Sequence, residues 1–388
     1  MLKYFERKVK RFFFRLAGFF LKSSPKQKED IDLSKIKKIL VVRQDERIGN
    51  LILTTPFLWA LKDLFPQARI FYLASKTFGE LFSNYSVVEG IFAVNKKRYI
   101  FWPFSLLKMV NMIREEKFDL CFDLSDENQI SANNFLYTAL SGAKYRVGYK
   151  KEGSENFLNI EAPIKKEPKH AVDMHLELLR FLFGEVPIHQ LSVDISVDSE
   201  KLVLDYLAGK GVNDKDFLVG INLGGRGKKR WGGQNFFRLA DFLVKEFNFK
   251  VILIWGPEEK ALVKDLILGG NIILADLFPL PTLAALIRRT DLFISSDSGV
   301  MHLSAAVGTP TFAIFLDSDP VKYGPWGEKH KIIVGEEGEV SVERVKEKLH
   351  DFVISLPNED KNFKSFRDLF DKTSPVPSPY KGEGRGKV

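Results

Sequence analysis

The sequence predicts an α/β protein built of two parallel sheets, each covered by helices. Three observations predict it. From residue 37 onward, short β-rich apolar runs alternate with helical periodicity, which is the rhythm of βα units and of a sheet buried on both faces. That rhythm pauses over 184–197, a loop-like stretch, and then restarts. The chain has 388 residues, a length that suits two domains. The expected architecture is therefore two Rossmann-like domains facing across a cleft.

The elements follow in order. Lys37–Arg43 (KKILVVR) reads as a buried strand, and Leu51–Phe65 as a helix with Pro56 in its first turns and Pro66 past its end. Strands at Arg69–Ala74, Ile91–Val94, Phe118–Leu124 and Tyr145–Tyr149 alternate with helices at Phe104–Glu116 and Asn133–Ser141. The helix His170–Phe183 closes the first half. The second half opens with the strand Phe217–Asn222 and the helix Gln234–Glu246. The strand Lys250–Trp255, the helix Glu258–Leu268 and the strand Asn271–Leu274 follow. The helix Leu280–Arg288, the strand Asp291–Ser295, the helix Met301–Ala306 and the strand Thr311–Phe315 complete the series. Ser341–Ile354 is a C-terminal helix, and the Pro-, Gly-, Ser- and Lys-rich tail reads as disordered from Thr373. The expected divisions are residues 1–30 (basic helix and linker), 31–190 and 191–356 (the two domains) and 357–388 (the tail).

Charge sharpens the picture. Lys plus Arg number 58 and Asp plus Glu 50, for a formal net charge of +8. Residues 1–28 alone hold six Lys, three Arg and one acid, Glu6, so they account for the whole excess and the rest of the chain balances. A nucleic-acid binder would carry its basic stripe on the folded domain, so that class is disfavoured. On a helix, Leu2, Phe5, Val9, Phe12, Phe13, Leu16 and Phe20 share one face, with Lys3, Arg7, Lys8, Lys10, Arg11, Arg15 and Lys22 around the other. This is the pattern of an interfacial helix, and it predicts that residues 1–22 lie on an anionic membrane surface. Packing of that helix on the protein body is the alternative. Arg15 interrupts any signal-peptide apolar region, and no small-x-small cleavage site follows. No run reaches the ~18 apolar residues of a spanning helix. The single cysteine, Cys121, rules out an intrachain disulfide and fits a reducing compartment.

Three loops could carry chemistry. Arg43-Gln44-Asp45-Glu46-Arg47-Ile48-Gly49-Asn50 follows the first strand and opens a helix, the place where open α/β sheets bind ligands. Gly49 allows a tight turn and close approach of a ligand. Asn222-Leu223-Gly224-Gly225-Arg226-Gly227-Lys228-Lys229-Arg230-Trp231 follows the first strand of the second half, and its exposed N–H groups and bases suit a diphosphate. Ser295-Ser296-Asp297-Ser298-Gly299-Val300-Met301-His302 ends a strand and starts a helix whose free N–H groups favour an anion. Taken singly, each is equally an ordinary charged turn or helix cap. There is no G-x-G-x-x-G, no Walker spacing and no G-x-S-x-G elbow. The six histidines are scattered, and no metal site is expected.

Together these motifs resemble glycosyltransferase family 9, the lipopolysaccharide heptosyltransferase family. The resemblance runs through ILVVR…D…IGN…LTTP…LK…FP (Ile39 to Pro66) and D-S-G-x-M-H-L-x-A-A-x-G-T-P (Asp297 to Pro310). Asp319-Pro320 and Tyr323-Gly324-Pro325 extend it, and it covers roughly residues 37–335. It implies a GT-B fold, with the acceptor on the N-terminal domain and the nucleotide-sugar on the C-terminal one. It implies inverting, metal-independent transfer of a heptose or related sugar from an ADP- or other NDP-sugar, with no cofactor. The acceptor would be lipopolysaccharide core or a related, lipid-linked surface glycan. The place would be the cytoplasm, at the inner face of the bacterial cytoplasmic membrane. By the family pattern Lys229 contacts phosphate, with Gly225 and Arg226 in the same loop. Asp297, Ser298, Gly299, Met301 and His302 line the donor, and Glu258, or alternatively Glu259, binds its ribose. Arg43, Arg47 and Gly49 stand on the acceptor side.

The sequence departs from the family at one position that matters. The family's proposed base is an Asp directly after the Gly of the first loop, and here that residue is Asn50. An amide cannot act as a general base at neutral pH. Three readings follow: Asp45 or Glu46 replaces it, Asn50 only orients the acceptor while a base comes from elsewhere, or transfer is slow or absent. The first is favoured. A catalytically impaired sugar-nucleotide or glycolipid-binding protein of the same fold is the alternative function.

Overall fold

The computed structural model describes residues 24–355 except 84, 96–102, 128–130, 166, 265, 267 and 337–338, and it also describes 19 and 21. The chain divides into two compact units, Met1–Ser196 and Val197–Val388. The expected membrane helix at 1–22, Phe19 and Leu21 apart, and the tail from 357 lie outside the described residues.

In the first unit β1 (Lys38–Val42) leads into α1 (Ile48–Ile52) and α2 (Thr55–Leu64). Then come β2 (Arg69–Ser75), the short α3 (Lys76–Gly79), β3 (Gly90–Val94), α4 (Pro103–Glu115), β4 (Leu120–Asp123) and α5 (Ala132–Leu140). β5 (Tyr145–Tyr149), β6 (Ile160–Ala162) and α6 (Ala171–Phe183) finish it. The strands are all parallel, in the order β3-β2-β1-β4-β5-β6. Leu40, Val42, Leu73 and Cys121 pack on Ile113, Phe118 and Tyr137, so the near-continuous apolar strands bury one face under α4 and α5.

The second unit repeats the plan. α7 (Val197–Gly209) precedes β7 (Leu218–Asn222), α8 (Gly233–Phe247), β8 (Lys250–Ile254), α9 (Lys260–Val263) and β9 (Ile272–Leu274). Next are α10 (Leu280–Arg288), β10 (Leu292–Ser296), α11 (Gly299–Ala306), β11 (Thr311–Phe315) and α12 (Pro320–Tyr323). The unit closes with β12 (His330–Val334) and α13 (Val342–Ser355). The order is β12-β11-β10-β7-β8-β9, again fully parallel. Read in each unit's own strand numbers, both orders are 3-2-1-4-5-6, the Rossmann order. Each sheet therefore has a switch point, between β1 and β4 in one and between β7 and β10 in the other.

Several expectations are corrected. The helix expected at 51–65 is two helices, because Pro56 lacks an N–H and its ring would meet the carbonyl of residue 52, where α1 stops. The helix expected at 258–268 is a 3-10 turn (Pro257–Glu259) followed by the single turn of α9. The strands β6 and β12 and the helices α7 and α12 were not anticipated. Residues expected as a linker are instead held on the first unit. The Lys26 N–H donates to the Asn159 carbonyl at 2.8 Å. Leu21, from the segment expected on the membrane, packs against the cluster of Phe135, Ala139, Phe157 and Leu158.

Candidate active-site loops

In the second unit the loop after β7 is pinned at both ends. Asn222, the last residue of β7, donates from Nδ2 to Ser295 Oγ (3.0 Å) and Ser298 Oγ (3.1 Å), and its Oδ1 accepts from the Gly224 N–H at 3.2 Å. At the far end Trp231 is buried; its backbone N–H donates to Ser296 Oγ at 3.1 Å and its indole N–H to the Val340 carbonyl at 2.7 Å. Between these anchors lies a 3-10 turn, Gly227–Lys229, entered through Gly227 at φ +56°, a conformation that suits glycine.

This turn brings Lys229 to the end of β10. Lys229 Nζ donates to Asp297 Oδ2 at 2.5 Å, and Ser318 Oγ donates to the same oxygen. Asp297 is 6% exposed and the Lys229 side chain 36%, so the ammonium is paired yet open to a ligand. Lys229 also lies 5.9 Å from the ring centre of Tyr323. Ser298 caps α11, its Oγ accepting from the Met301 N–H at 3.2 Å, while Met301 and His302 are buried beneath. The cap takes up the Met301 N–H and leaves the first N–H groups of α11, at Gly299 and Val300, without an intrahelical partner next to Asp297, and such a helix start favours an anion. Arg226 is exposed on the same loop, and Gly225 sits against the Arg230 backbone.

The carboxylate that reaches this loop is Glu259, not Glu258. The turn at Pro257–Glu259 directs Glu259 inward: its Oε2 accepts from the Gly256 N–H at 3.1 Å, and its Oε1 pairs with Arg230 at 2.6 Å. Arg230 also donates to the Gly225 carbonyl at 3.0 Å, so the pair ties the loop to the end of β8. Glu258 stays exposed.

In the first unit the loop after β1 is organised around Arg43 and Asp45. Arg43 is 6% exposed and donates to the Leu124 carbonyl at the end of β4, so it bridges the switch point. Asp45 collects donors. Its Oδ1 accepts from the Arg47 N–H (3.0 Å) and Nε (3.1 Å), and its Oδ2 from Arg47 Nη2 (3.2 Å) and Asn50 Nδ2 (2.7 Å). Arg43 Nη2 is 3.4 Å from that second oxygen. Burial works to raise the Asp45 pKa, but the Arg47 hydrogen bonds, the Arg43 charge and the Asn50 amide outweigh it, and the net shift is downward. Glu46 is exposed, and its Oε1 accepts from Gln44 Nε2 at 3.2 Å.

The sequence reading missed residues beside this loop. Asn134 on α5 accepts from the Gln44 N–H at 3.1 Å and donates to Asp123 Oδ1 at 3.4 Å. Asp123 ends β4, is 1% exposed, and has its pKa raised by burial against the opposing Lys151 charge. Lys151, after β5, donates to Ser125 Oγ (2.8 Å) and to the Asp126 carbonyl (2.6 Å). The available signal was position: Asp123 and Lys151 both stand at carboxyl ends of strands, where such sheets bind ligands. Among the described residues no group of three or more His, Cys, Asp or Glu could hold a metal.

Both loops thus lie at the switch points of parallel sheets, with a Lys–Asp pair and a helix start in one and an arginine-held acid in the other. The family 9 model, described as glycosyltransferase family 9 (heptosyltransferase), matches residues 106–353. The chain belongs to glycosyltransferase family 9. This family 9 enzyme is 27% identical over 291 residues to lipopolysaccharide heptosyltransferase 3 of Escherichia coli (strain K12), covering 72% of this chain and 83% of that protein. Its fold is similar to the crystal structure of the glycosyl transferase family 9 from Veillonella parvula, with a TM-score of 0.74 and 22% identity over 82% of this chain and 98% of that one. It is also similar to E. coli heptosyltransferase WaaC with ADP-2-deoxy-2-fluoro heptose, with a TM-score of 0.65 and 19% identity over 81% and 99%. The fold is GT-B, and the chain is a glycosyltransferase.

Proposed function

We propose that this glycosyltransferase moves a heptose from ADP-heptose, or a related sugar from its nucleotide, onto a saccharide of lipopolysaccharide core or a related surface glycan, with inversion. The observation that carries the reading is Lys229 beside Asp297 at the open start of α11. The names of its relatives and the ADP-sugar in the WaaC structure support the substrate class.

The chemistry follows from charge. An acceptor hydroxyl oxygen bonds to the anomeric carbon as the bond from that carbon to the diphosphate oxygen breaks. The hydroxyl proton passes to a carboxylate, and the leaving diphosphate gains charge. Lys229, Arg226 and the N–H groups at Gly299 and Val300 meet that charge. Asp297 holds Lys229 in place, and Glu259, its two oxygens engaged by Arg230 and the Gly256 N–H, orders the loop and leaves the exposed Glu258 beside it as the residue for the donor ribose. Asp45 and Glu46 were the bases open to the first loop. Asp45 is saturated by two arginines and an amide, which lowers its basicity, so the exposed Glu46 takes the proton. Arg43, Arg47 and Gly49 shape the acceptor side, and residues 1–22 hold the enzyme at the anionic inner face of the cytoplasmic membrane.

The test is a donor screen by thermal shift, ADP-heptose first, followed by a transfer assay on a core acceptor. A donor at 100-fold over its Kd should add about 2.7 kcal/mol of stability. Binding without transfer would overturn the catalytic reading in favour of a sugar-nucleotide-binding protein. Glu46→Gln should cost about 10²-fold or more in kcat, and a wild-type rate would remove Glu46 as the base. Chelation with EDTA should leave the rate unchanged.

A further inference from the structure

The structure decides the orientation of the Asn50 side chain in the first loop. A carboxylate can only accept hydrogen bonds, so the group facing Asp45 at 2.7 Å is the amide nitrogen of Asn50 and not its oxygen. The planar amide then turns Oδ1 away from Asp45, and among the described residues nothing donates to it. Asp45 itself is fixed by two arginines. Arg47 grips both its oxygens, and Arg43, anchored to the end of β4, stands 3.4 Å away. Five donor contacts on one carboxylate describe a clamp and not a group waiting for a proton.

We propose that Asp45 is a positioning residue, held between Arg43 and Arg47, that locks the Asn50 amide so that Oδ1 is presented to a hydroxyl of the acceptor saccharide. This rests on the glycosyltransferase reading and deepens its acceptor side. Oδ1 accepts from a hydroxyl that is not the one attacked, which orients the sugar. The reacting hydroxyl gives its proton to Glu46. An amide suits the first task, since its oxygen accepts at every working pH while its nitrogen satisfies Asp45. The negative charge of Asp45 is more than offset by the two arginines, so the sugar meets an acceptor and not a bare anion.

The experiment uses the full chain and the variants Asp45→Ala, Asn50→Ala and the double variant, with acceptor and donor varied separately. Each single variant should raise the acceptor KM about tenfold, the scale of one lost hydrogen bond, and leave the donor KM unchanged. The double variant should be no worse than the weaker single one, because both remove the same contact. The acid limb of the pH–rate profile should not move. Additive losses, or an acid limb that vanishes in Asp45→Ala, would overturn the proposal, the second by making Asp45 the base.

A readout without turnover separates this from the functional reading. With asparagine labelled in its side-chain amide, the Asn50 NH2 resonances should shift in Asp45→Ala and also as the wild-type protein is titrated through the low Asp45 pKa. Unmoved resonances would overturn the clamp whether or not transfer occurs. Shifted resonances in a protein that transfers no sugar would sustain the clamp while the proposed reaction fails.

Discussion

Lys229 shows how much a single side chain carries. Its ammonium is paired with Asp297 at the end of β10 while its side chain stays 36% exposed. Replacing it with Met should lower kcat by about 10²- to 10³-fold, as loss of one charge-stabilising donor does, and steady-state kinetics with saturating acceptor would show it. Lys229, Asp297 and Glu46 were all legible in the sequence as loop residues, but their relations were not. Asp45 shows the difference most clearly. In sequence it is an acid near an amide and a candidate base; in space it is the hub of Arg43, Arg47 and Asn50.

His175 illustrates the same point through pH. It is buried on α6, with Nδ1 3.2 Å from the Leu53 carbonyl. Burial, helped by the Arg43 charge, pulls its pKa from 6.5 down to about 3. The unfolded chain therefore binds a proton over that interval which the folded chain does not. The stability this group supplies is complete above about pH 6.5 and falls as the pH drops toward 3, by up to about 1.4 kcal/mol per pH unit. His175→Gln should flatten that part of the stability curve, and urea unfolding from pH 7 down to about 4.5 would reveal a slope left unchanged if the assignment is wrong.

At the scale of elements, the strongly apolar central strands and the amphipathic α8 and α10 were readable because their signal is local. The edge strands β6 and β12 were not. Ile160-Glu161-Ala162 alternates over only three residues, too few to stand out, and His330-Lys331 opens its strand with two polar residues; both become strands because β5 and β11 offer an unpaired edge. A close contact inside the second sheet gives a test. Gly220 on β7 lies opposite Phe293 on β10, and a Cβ there would stand 2.7 Å from the Phe293 ring. Gly220→Ala should cost about 1–3 kcal/mol through overpacking, seen as a lower urea midpoint at unchanged m-value. A wild-type midpoint would mean that the ring relaxes freely.

For the whole molecule, charge and fold are separable. The net +8 lies in residues 1–28, so a chain beginning at residue 29 has a formal charge of zero. That variant should lose binding to vesicles of anionic lipid at low salt while keeping its fold, as sedimentation and circular dichroism would report. Retained sedimentation would place the contact elsewhere. Among the described residues no helix is long and apolar enough to cross a membrane.

By itself the sequence determined the α/β class, the positions of most strands and helices, the three loops and the family resemblance, since each depends on residues close together in the chain. Only the tertiary structure decided the strand order 3-2-1-4-5-6 in both units, which sets the β1 and β4 ends side by side and the β7 and β10 ends likewise. It therefore also decided the pairing of Lys229 with Asp297, 68 residues away, the pairing of the buried Glu259 with Arg230, and the gathering of Arg43, Arg47 and Asn50 around Asp45. The physical reason is common to all three. A side chain's basicity and reach depend on the donors and charges packed around it, and those come from strand ends that only the crossover connections bring together.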